Sequence, residues 1–288
     1  MPSRIQALNL LLERARAKRG VALMGVCNVT PDSFSDGGRY LAGNAARGRV
    51  DELVAEGADI VDIGGESTRP GALGVSVREQ LERILDVVRH AVGRGAFVSV
   101  DTTHPDVAGP CLEAGAALAN DVSCLRSVAL ARVVASAGAG LLLMHTRGSP
   151  SDMVGFSEYP DDGYTDVVRD VLAEWSQAAA RAIAAGLPRS SLLMDPGLGF
   201  AKNARQSRAL LTRLHEIVSA LDVPVVVGAS RKSFLALVDP DASPAQRLGG
   251  SIAAALHAAR AGAQILRVHD VRATRQAIDL ARELAAKG

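Results

Sequence analysis

Short apolar segments alternate along the chain with longer segments of helical periodicity. Eight apolar runs each stop at a polar residue or a glycine-rich turn, which is typical of buried parallel strands. The predicted strands are Ala22–Cys27, Asp59–Ile63, Phe97–Val100, Ala117–Ala119, Gly140–Met144, Leu192–Met194, Val223–Val227 and Gln264–Leu266. Apolar residues at intervals of three and four predict helices at Arg47–Glu56, Arg78–Val92, Pro105–Ala114, Val128–Ala137, Thr165–Ala185, Ser207–Ala220 and Pro244–Ala261.

Several of these helices carry sequence signals at their ends. Pro105 stands early in its helix, where a missing N–H costs nothing. Glycines that can take a left-handed conformation follow five helical runs, at Gly57, Gly115, Gly138, Gly186 and Gly262.

Regular alternation of strand and helix indicates a parallel sheet with right-handed crossovers. Eight such units without a linker favour one domain over residues 1–288, an α/β fold of the (β/α)8 TIM-barrel type, with residues 1–20 as an N-terminal helical extension. An open doubly wound sheet is the alternative, and it is disfavoured because no G-x-G-x-x-G follows the first strand.

Composition narrows the classes of partner. The chain of 288 residues has 32 Lys and Arg against 31 Asp and Glu, so a broad basic surface for nucleic acid is not expected. Three widely spaced cysteines without a CxxC motif indicate reduced thiols in a cytoplasmic protein. The most apolar stretch, Gly138–Met144, is too short to cross a membrane.

The polar residues at the strand ends carry the candidate chemistry. In a barrel the carboxyl ends of all strands open on one face, where active sites of this fold lie. Nine side chains are therefore expected at one mouth: Asn28, Asp62, Asp101, Asn120, His145, Asp195, Lys232, Arg267 and His269.

Two kinds of ligand fit the acidic and amide members of this group. Asp101, Asn120 and Asp195 could hold a flat heterocycle that presents adjacent N–H donors, because a carboxylate accepts two parallel hydrogen bonds. They could equally hold a divalent metal ion, and residue spacing alone leaves both open.

The basic members point to an anion. Ser230–Ser233 follows the seventh strand and opens a helical run, while Arg267 and His269 alternate at the end of the eighth strand. This region of a barrel often binds phosphate. The loops at 30–38 and 64–71 are rich in hydroxyl and charged groups and suit mobile lids over the site.

Several motifs, in this order, resemble the dihydropteroate synthase family. The first two are specific together: Asn28-Val-Thr-Pro-Asp-Ser-Phe-Ser-Asp-Gly-Gly38 and Asp62-Ile-Gly-Gly-Glu-Ser-Thr-Arg-Pro-Gly71. Shorter ones follow: Ser99-Val-Asp-Thr102, Asn120-Asp-Val122, Met144-His145, Asp195-Pro-Gly-Leu-Gly-Phe200, Gly228-Ala-Ser-Arg-Lys-Ser233 and Arg267-Val-His-Asp-Val271. The resemblance runs from about residue 21 to the C-terminus.

The resemblance implies a homodimeric (β/α)8 barrel that uses Mg2+. The implied reaction joins 6-hydroxymethyl-7,8-dihydropterin diphosphate to 4-aminobenzoate, which gives 7,8-dihydropteroate and diphosphate. It also implies that the Asp/Asn set binds a heterocycle, the pterin, rather than a metal.

Carried over residue by residue, the resemblance assigns roles to strand-end and loop residues. Those expected to hold the pterin are Asp101, Asn120, Asp195 and Lys232. Those expected at the diphosphate are Arg267, His269 and Asn28, with Asn28 also a Mg2+ ligand and Asp36 a helper. Those expected around the aminobenzoate are Thr68, Arg69, Pro70, Phe200, Lys232 and Ser233, and Met144 is a further expected substrate contact.

A few positions depart from the usual pattern of the family: His104, Thr146 and Ala201, and the stretch Met153–Tyr164 is slightly long. None belongs to the expected pterin set. Two rival functions remain, a pterin-binding methyltransferase domain and a non-catalytic pterin-binding paralogue. Both leave Arg267 and His269 without a diphosphate to bind.

Overall fold

The computed structural model describes residues 2–30, 38–66, 74–148 and 158–286, with only the backbone of 38–42. The strands are β1 (Ala22–Asn28), β2 (Ile60–Gly64), β3 (Phe97–Asp101), β4 (Leu118–Asp121), β5 (Gly140–Met144), β6 (Leu192–Asp195), β7 (Val226–Val227) and β8 (Ile265–Val268). The helices are α1 (Arg4–Arg19), α2 (Gly38–Glu56), α3 (Val77–Gly93), α4 (Pro105–Glu113), α5 (Val128–Ser136), α6 (Val167–Ala184), α7 (Ala204–Thr212), α8 (Leu214–Ala220), α9 (Leu248–Arg260) and α10 (Val271–Ala285). Short 3-10 helices lie at Arg189–Ser191, Ser233–Leu237 and Pro244–Arg247.

The eight strands form one parallel sheet that closes on itself. Their order is β6-β5-β4-β3-β2-β1-β8-β7. A parallel bridge between Met194 and Val225, with the Met194 N–H donating to Pro224 O at 2.9 Å, joins the two ends of that order. The predicted (β/α)8 barrel is confirmed, and the open-sheet alternative is wrong.

The seventh strand is shorter than the predicted Val223–Val227 because its first residues pair irregularly. Pro224 has no N–H to donate to the ladder. The N–H of Val225 donates to the side-chain oxygen of Gln264 at 2.8 Å instead of to a backbone carbonyl. Regular pairing with β8 therefore begins only at Val226.

The predicted glycine signals are confirmed at all five positions. Each glycine has a positive φ, between 60° and 108°, that L side chains rarely adopt: Gly57, Gly115, Gly138, Gly186 and Gly262. Pro105 is the first residue of α4, as predicted.

Four helical regions differ from prediction. Helix α2 begins at Gly38 instead of Arg47, and the helix predicted at Pro244–Ala261 opens as the 3-10 helix Pro244–Arg247 before α9. The segment Ser207–Ala220 is divided into α7 and α8 because Arg213 leaves the helical conformation, with φ −99° and ψ 20°. Helix α10 was not predicted, although its buried residues Val271, Thr274 and Ile278 follow helical spacing.

Apolar packing fills one end of the barrel, and polar side chains lie at the other end. Leu8 and Ala15 of α1 pack with inward-facing residues such as Met24, Ile60 and Leu142 in one buried cluster. A larger cluster fills the space between the strands and the outer helices. Polar side chains therefore gather at the opposite end, where the strands finish.

No helix within the described ranges is long and apolar enough to cross a membrane.

Candidate active site

The ends of neighbouring strands place polar side chains at one level of the barrel. Asn28 of β1 is in register with Gly64 of β2, Gly64 with Asp101 of β3, and Asp101 with Asn120 of β4. Register partners in a parallel sheet point to the same face, so these side chains share the barrel mouth. β6 ends at Asp195.

A single guanidinium joins two carboxylates across this mouth. Arg267 Nε donates to Asp62 Oδ2 at 2.7 Å, and another guanidinium nitrogen donates to Asp101 Oδ2 at 2.8 Å. Asn120 Nδ2 also donates to Asp62 Oδ2, at 3.1 Å. Asp62 is fully buried, and no described residue donates to its Oδ1. Asp62 thus fixes both Arg267 and Asn120 from below.

Burial controls the protonation of the two carboxylates that the sequence assigned to the pterin. It raises the pKa of Asp101 to about 7, although Arg267 opposes the shift. It also raises the pKa of Asp195, against the attraction of Lys232 and the hydrogen bond from the Gly197 N–H. A ligand that donates hydrogen bonds to these oxygens would therefore stabilise their ionised forms.

Lys232 lies between the carboxylates and an apolar wall. Desolvation lowers its pKa to about 8, and Asp195 opposes that shift. Its Nζ donates to Leu198 O at 2.5 Å and lies 4.6 Å from the centre of the Phe200 ring. The lysine is thus within reach of both the pterin side and the aminobenzoate side of the site.

His269 sits beside the cations, in surroundings that disfavour its protonation. Burial lowers the pKa of His269 to about 4, and Arg267 adds to the shift. Its Nδ1 lies 3.1 Å from Ser230 Oγ, and its backbone oxygen accepts from Arg49 at 2.7 Å. Arg49 is a cation that the sequence reasoning missed, because it lies on α2 rather than at a strand end.

The loop that follows β6 is held by side chains rather than by regular structure. The Gly197 N–H donates to Asp195 Oδ1 at 2.7 Å, and the Gly199 N–H donates to Ser207 Oγ at 3.0 Å. Gly197 has φ 69°, and a Cβ there would lie 1.9 Å from the backbone oxygen of His145. Only glycine allows the loop to pack this closely onto the end of β5.

His145 does not join the other polar residues at the mouth, so that expectation is wrong. It follows Met144, which faces inward, and alternation therefore turns His145 outward. Its Nε2 lies 3.0 Å from Glu174 of α6, and its Nδ1 lies 2.9 Å from Lys202 Nζ. Burial lowers the pKa of His145 to about 4, and Lys202 adds to the shift.

Among the residues expected to contact the aminobenzoate or another part of the substrates, Met144 and Phe200 lie in an apolar cluster, whereas Ser233 is half-buried at the start of a short helix. Met144 packs with Val122 and Phe200 in a small buried cluster at the mouth. Ser233 is half-buried and opens a 3-10 helix of five residues instead of an α-helix. The contribution of a helix dipole at Ser233 is therefore small.

Four expected site residues lie outside the described residues: Asp36, Thr68, Arg69 and Pro70. Their assignments stay predictions. Among those that are described, the structure brings Asn28, Asp101, Asn120, Asp195, Lys232 and Arg267 to one mouth, with His269 beside them.

This fold and site define a class of protein: a (β/α)8-barrel enzyme whose mouth sets buried carboxylates and an amide beside cations. Such a mouth suits a substrate with an N–H-rich ring and an anionic group.

Comparison with known proteins narrows the class. Residues 24–269 match the family model described as pterin binding enzyme. The dihydropteroate synthase of Mycobacterium leprae is 45% identical over 268 residues, which cover 90% of this chain and 91% of the relative. That of Escherichia coli K12 is 41% identical and covers 89% of each chain.

Solved structures of dihydropteroate synthase have the same fold as this chain. Dihydropteroate synthase of Xanthomonas albilineans with 4-aminobenzoic acid has a TM-score of 0.85 and 40% identity, covering 92% of this chain and 93% of that one. The same enzyme in complex with 7,8-dihydropteroate has a TM-score of 0.81 and 37% identity, with 92% and 94% covered. The chain belongs to the dihydropteroate synthase family of pterin-binding enzymes.

Proposed function

We propose that the barrel mouth joins 6-hydroxymethyl-7,8-dihydropterin diphosphate to 4-aminobenzoate, giving 7,8-dihydropteroate and diphosphate. The observation that carries the proposal is the placement of Asp101, Asn120 and Asp195 beside Lys232 and Arg267 at one mouth. The carboxylates complement the N–H donors of a pterin, and the cations complement a diphosphate. The Xanthomonas albilineans enzyme has been solved with 4-aminobenzoic acid and with 7,8-dihydropteroate, and these ligands support one substrate and one product of the proposed reaction.

On the pterin side, Asp195 and Asp101 accept hydrogen bonds from ring N–H groups, and Asn120 serves as both donor and acceptor. Lys232 donates to the carbonyl side of the ring. When the carboxylates are ionised, they favour positive charge on the pterin, which assists formation of a methylene cation.

On the diphosphate side, the bond between the methylene carbon and the bridging oxygen breaks, and its electron pair leaves with the diphosphate. Arg267 offsets the negative charge that grows there. His269, beside Arg267, donates a hydrogen bond to the same diphosphate.

Asn28 would hold a Mg2+ ion through its side-chain oxygen. Gly64, in register with Asn28, has no side chain, and a Cβ there would lie 3.7 Å from Asn28 Oδ1. Among the described residues no group of three His, Cys, Asp or Glu side chains could hold a metal, so a closed protein cage is not the arrangement proposed. When bound, the ion withdraws charge from the leaving diphosphate.

On the aminobenzoate side, Phe200 and Met144 supply an apolar wall for the ring, and Ser233 lies near its carboxylate. The family resemblance assigns Thr68, Arg69 and Pro70 to the same substrate. The amine nitrogen attacks the methylene carbon and then releases a proton. A sulfonamide would compete for this pocket; the Yersinia pestis enzyme has been solved with such a drug.

Purified protein with both substrates and Mg2+ is expected to form dihydropteroate and diphosphate in equal amounts. Chelation of Mg2+ is expected to lower the rate about 100-fold, because the metal stabilises the leaving group by several kcal/mol. Chromatography of the pteroate and an enzymatic assay of diphosphate measure both. Pterin binding without turnover would contradict the proposal, and methyl transfer to a corrinoid protein would assign the barrel to the rival class.

The protein acts as a homodimer in the cytoplasm. Leu237 and Val238 are neighbouring apolar residues on the surface, and 85% of Val238 is exposed, so both are available for a partner copy to cover. The unpaired thiols of Cys27, Cys111 and Cys124 suit a reducing compartment. Sedimentation velocity at assay concentration is expected to give twice the mass of the chain, and a monomer that turns over normally would contradict the dimer.

A further inference from the structure

Lysine is rare in this chain, and one buried lysine has no part in the proposed reaction. Only four of the 32 Lys and Arg residues are lysines, at positions 18, 202, 232 and 287. Lys202 is completely buried. A long cationic side chain is seldom kept fully inside a protein unless partners there hold it.

Every nearby partner of the Lys202 amino group is an acceptor, and burial lowers the pKa of Lys202 to about 7. Its Nζ donates to Phe200 O at 2.9 Å and to Gly197 O at 3.1 Å, and it lies 3.3 Å from His145 O. It also lies 2.9 Å from His145 Nδ1. Glu174 accepts from His145 Nε2 on the opposite edge of the ring, which leaves Nδ1 without a proton and able to accept from Lys202.

The loop after β6, which Lys202 holds, contains several residues with positive φ. Within six residues, Gly197, Gly199 and Ala201 all have positive φ, at 69°, 78° and 46°. Ala201 is a non-glycine residue in a strained conformation that persists only when its surroundings hold it. Tyr164 donates to Ala201 O at 2.9 Å, so the loop carbonyls on both sides of Phe200 are held by side chains.

The same loop forms one wall of the site. Lys232 donates to Leu198 O and lies 4.6 Å from the centre of the Phe200 ring. The backbone oxygen of Phe200 is bonded to Lys202, so the position of the ring over Lys232 depends on the buried ammonium below it.

We propose that Lys202 is a positioning residue for the aminobenzoate side of the site: its buried ammonium fastens the loop after β6 to the end of β5 and so holds Phe200 over Lys232. This inference rests on the proposed function, because it concerns the pocket for the second substrate. Lys202 touches neither substrate and acts through the loop.

Replacing Lys202 by methionine keeps the length of the side chain and removes its donors. The Lys202→Met enzyme is expected to show a KM for aminobenzoate raised about tenfold or more, since hydrogen bonds from a charged group are lost. The Kd of the pterin diphosphate is expected to change less than about threefold, since Asp101, Asn120 and Arg267 lie on other strands and Asp195 lies within β6, before the loop. The matched control is Arg205→Met, which removes an equal charge from a side chain 78% exposed on α7 and should leave both constants unchanged. Parallel changes of both constants in Lys202→Met, or no change in either, would overturn the proposal.

A second pair of variants tests the proposal even if Lys202→Met does not fold. The side chain of asparagine at position 145 can still accept from Lys202, whereas the side chain of leucine cannot, and the backbone oxygen is the same in both variants. His145→Asn is therefore expected to keep the KM for aminobenzoate within about threefold of wild type, and His145→Leu to raise it about tenfold. Equal values in the two variants would refute the role of the ammonium.

Fluorine NMR reports on the loop without turnover. The chain has five phenylalanines, so fluorophenylalanine labelling gives five signals, and Phe200→Leu assigns one of them. In Lys202→Met the Phe200 signal is expected to shift or broaden while the others stay in place. An unchanged Phe200 signal overturns the proposal. Because this readout needs no product, it still tests Lys202 if the wild-type protein fails to form dihydropteroate and the proposed function falls.

Discussion

Replacing Asp195 with asparagine is expected to weaken binding of the pterin diphosphate about 10- to 100-fold. The substitution keeps the shape of the side chain and an oxygen for the Gly197 N–H, which now donates to Asp195 Oδ1 at 2.7 Å. It removes a charged acceptor facing the ring, and such hydrogen bonds contribute roughly 1.5–3 kcal/mol. It also leaves Lys232 without the carboxylate that raises its pKa.

The loss of affinity should not come from unfolding. Burial raises the pKa of Asp195 in the folded protein, so its ionised form costs stability above the pKa of the unfolded chain. Asparagine removes that cost, and the melting temperature at pH 7 is expected not to fall. Calorimetric titration with the pterin diphosphate measures the affinity, and Asp241→Asn on the exposed surface is the control. Unchanged affinity in Asp195→Asn would remove Asp195 from the pterin site.

The strand ends at the barrel mouth could be predicted from the sequence because each depends only on a local pattern of apolar and polar residues. Apolar runs that stop at Asp101 or Asp195 mark both the strand and the face on which it ends. His145 was misplaced because a strand end alone does not say which way a side chain points. The inward position of Met144, one residue earlier, decides it.

Other parts of the site depend on contacts that no spacing reveals. Lys202 is seven residues beyond Asp195, and its partner His145 is 57 residues earlier. Asp62 was expected at the mouth but had no role until the fold placed it under Arg267, 205 residues later in the chain. Buried charges of this kind depend on partners that are distant in sequence and close only in the fold, so no local pattern predicts them.

Removal of the Arg267 side chain is expected to have the largest effect of any single substitution. Arg267→Ala takes away the cation that we propose lies beside the leaving diphosphate, and loss of one such group lowers kcat about 100- to 1000-fold. Arg267→Lys keeps a charge but cannot reach Asp62 and Asp101 together with a planar fork, so it should recover activity only in part. Steady-state rates of dihydropteroate formation measure both variants.

The same substitution is expected to destabilise the protein in a pH-dependent way. The pKa of Asp101 in the fold, about 7, already lies above its ordinary value of 3.8, so the folded state holds the proton more tightly than the unfolded state. The contribution of Asp101 to the free energy of unfolding therefore falls as the pH rises from about 4 to 7. Without Arg267, which lowers the pKa of Asp101, the window extends above 7. The melting temperature of Arg267→Ala should thus fall further below wild type at pH 8 than at pH 5.

A double variant separates the two effects of Arg267. In Asp62→Asn/Arg267→Ala one of the two buried carboxylates is neutral, so the repulsion that Arg267 normally offsets is reduced. The double variant is expected to regain part of the melting temperature lost at pH 8 and none of the lost rate, because asparagine at position 62 cannot neutralise a leaving diphosphate. An equal loss of melting temperature at both pH values, or no recovery in the double variant, would show that the Asp62–Arg267–Asp101 bridge does not hold the mouth together. Recovery of the rate with the stability would instead show that Arg267 serves the fold and leaves the diphosphate to other groups.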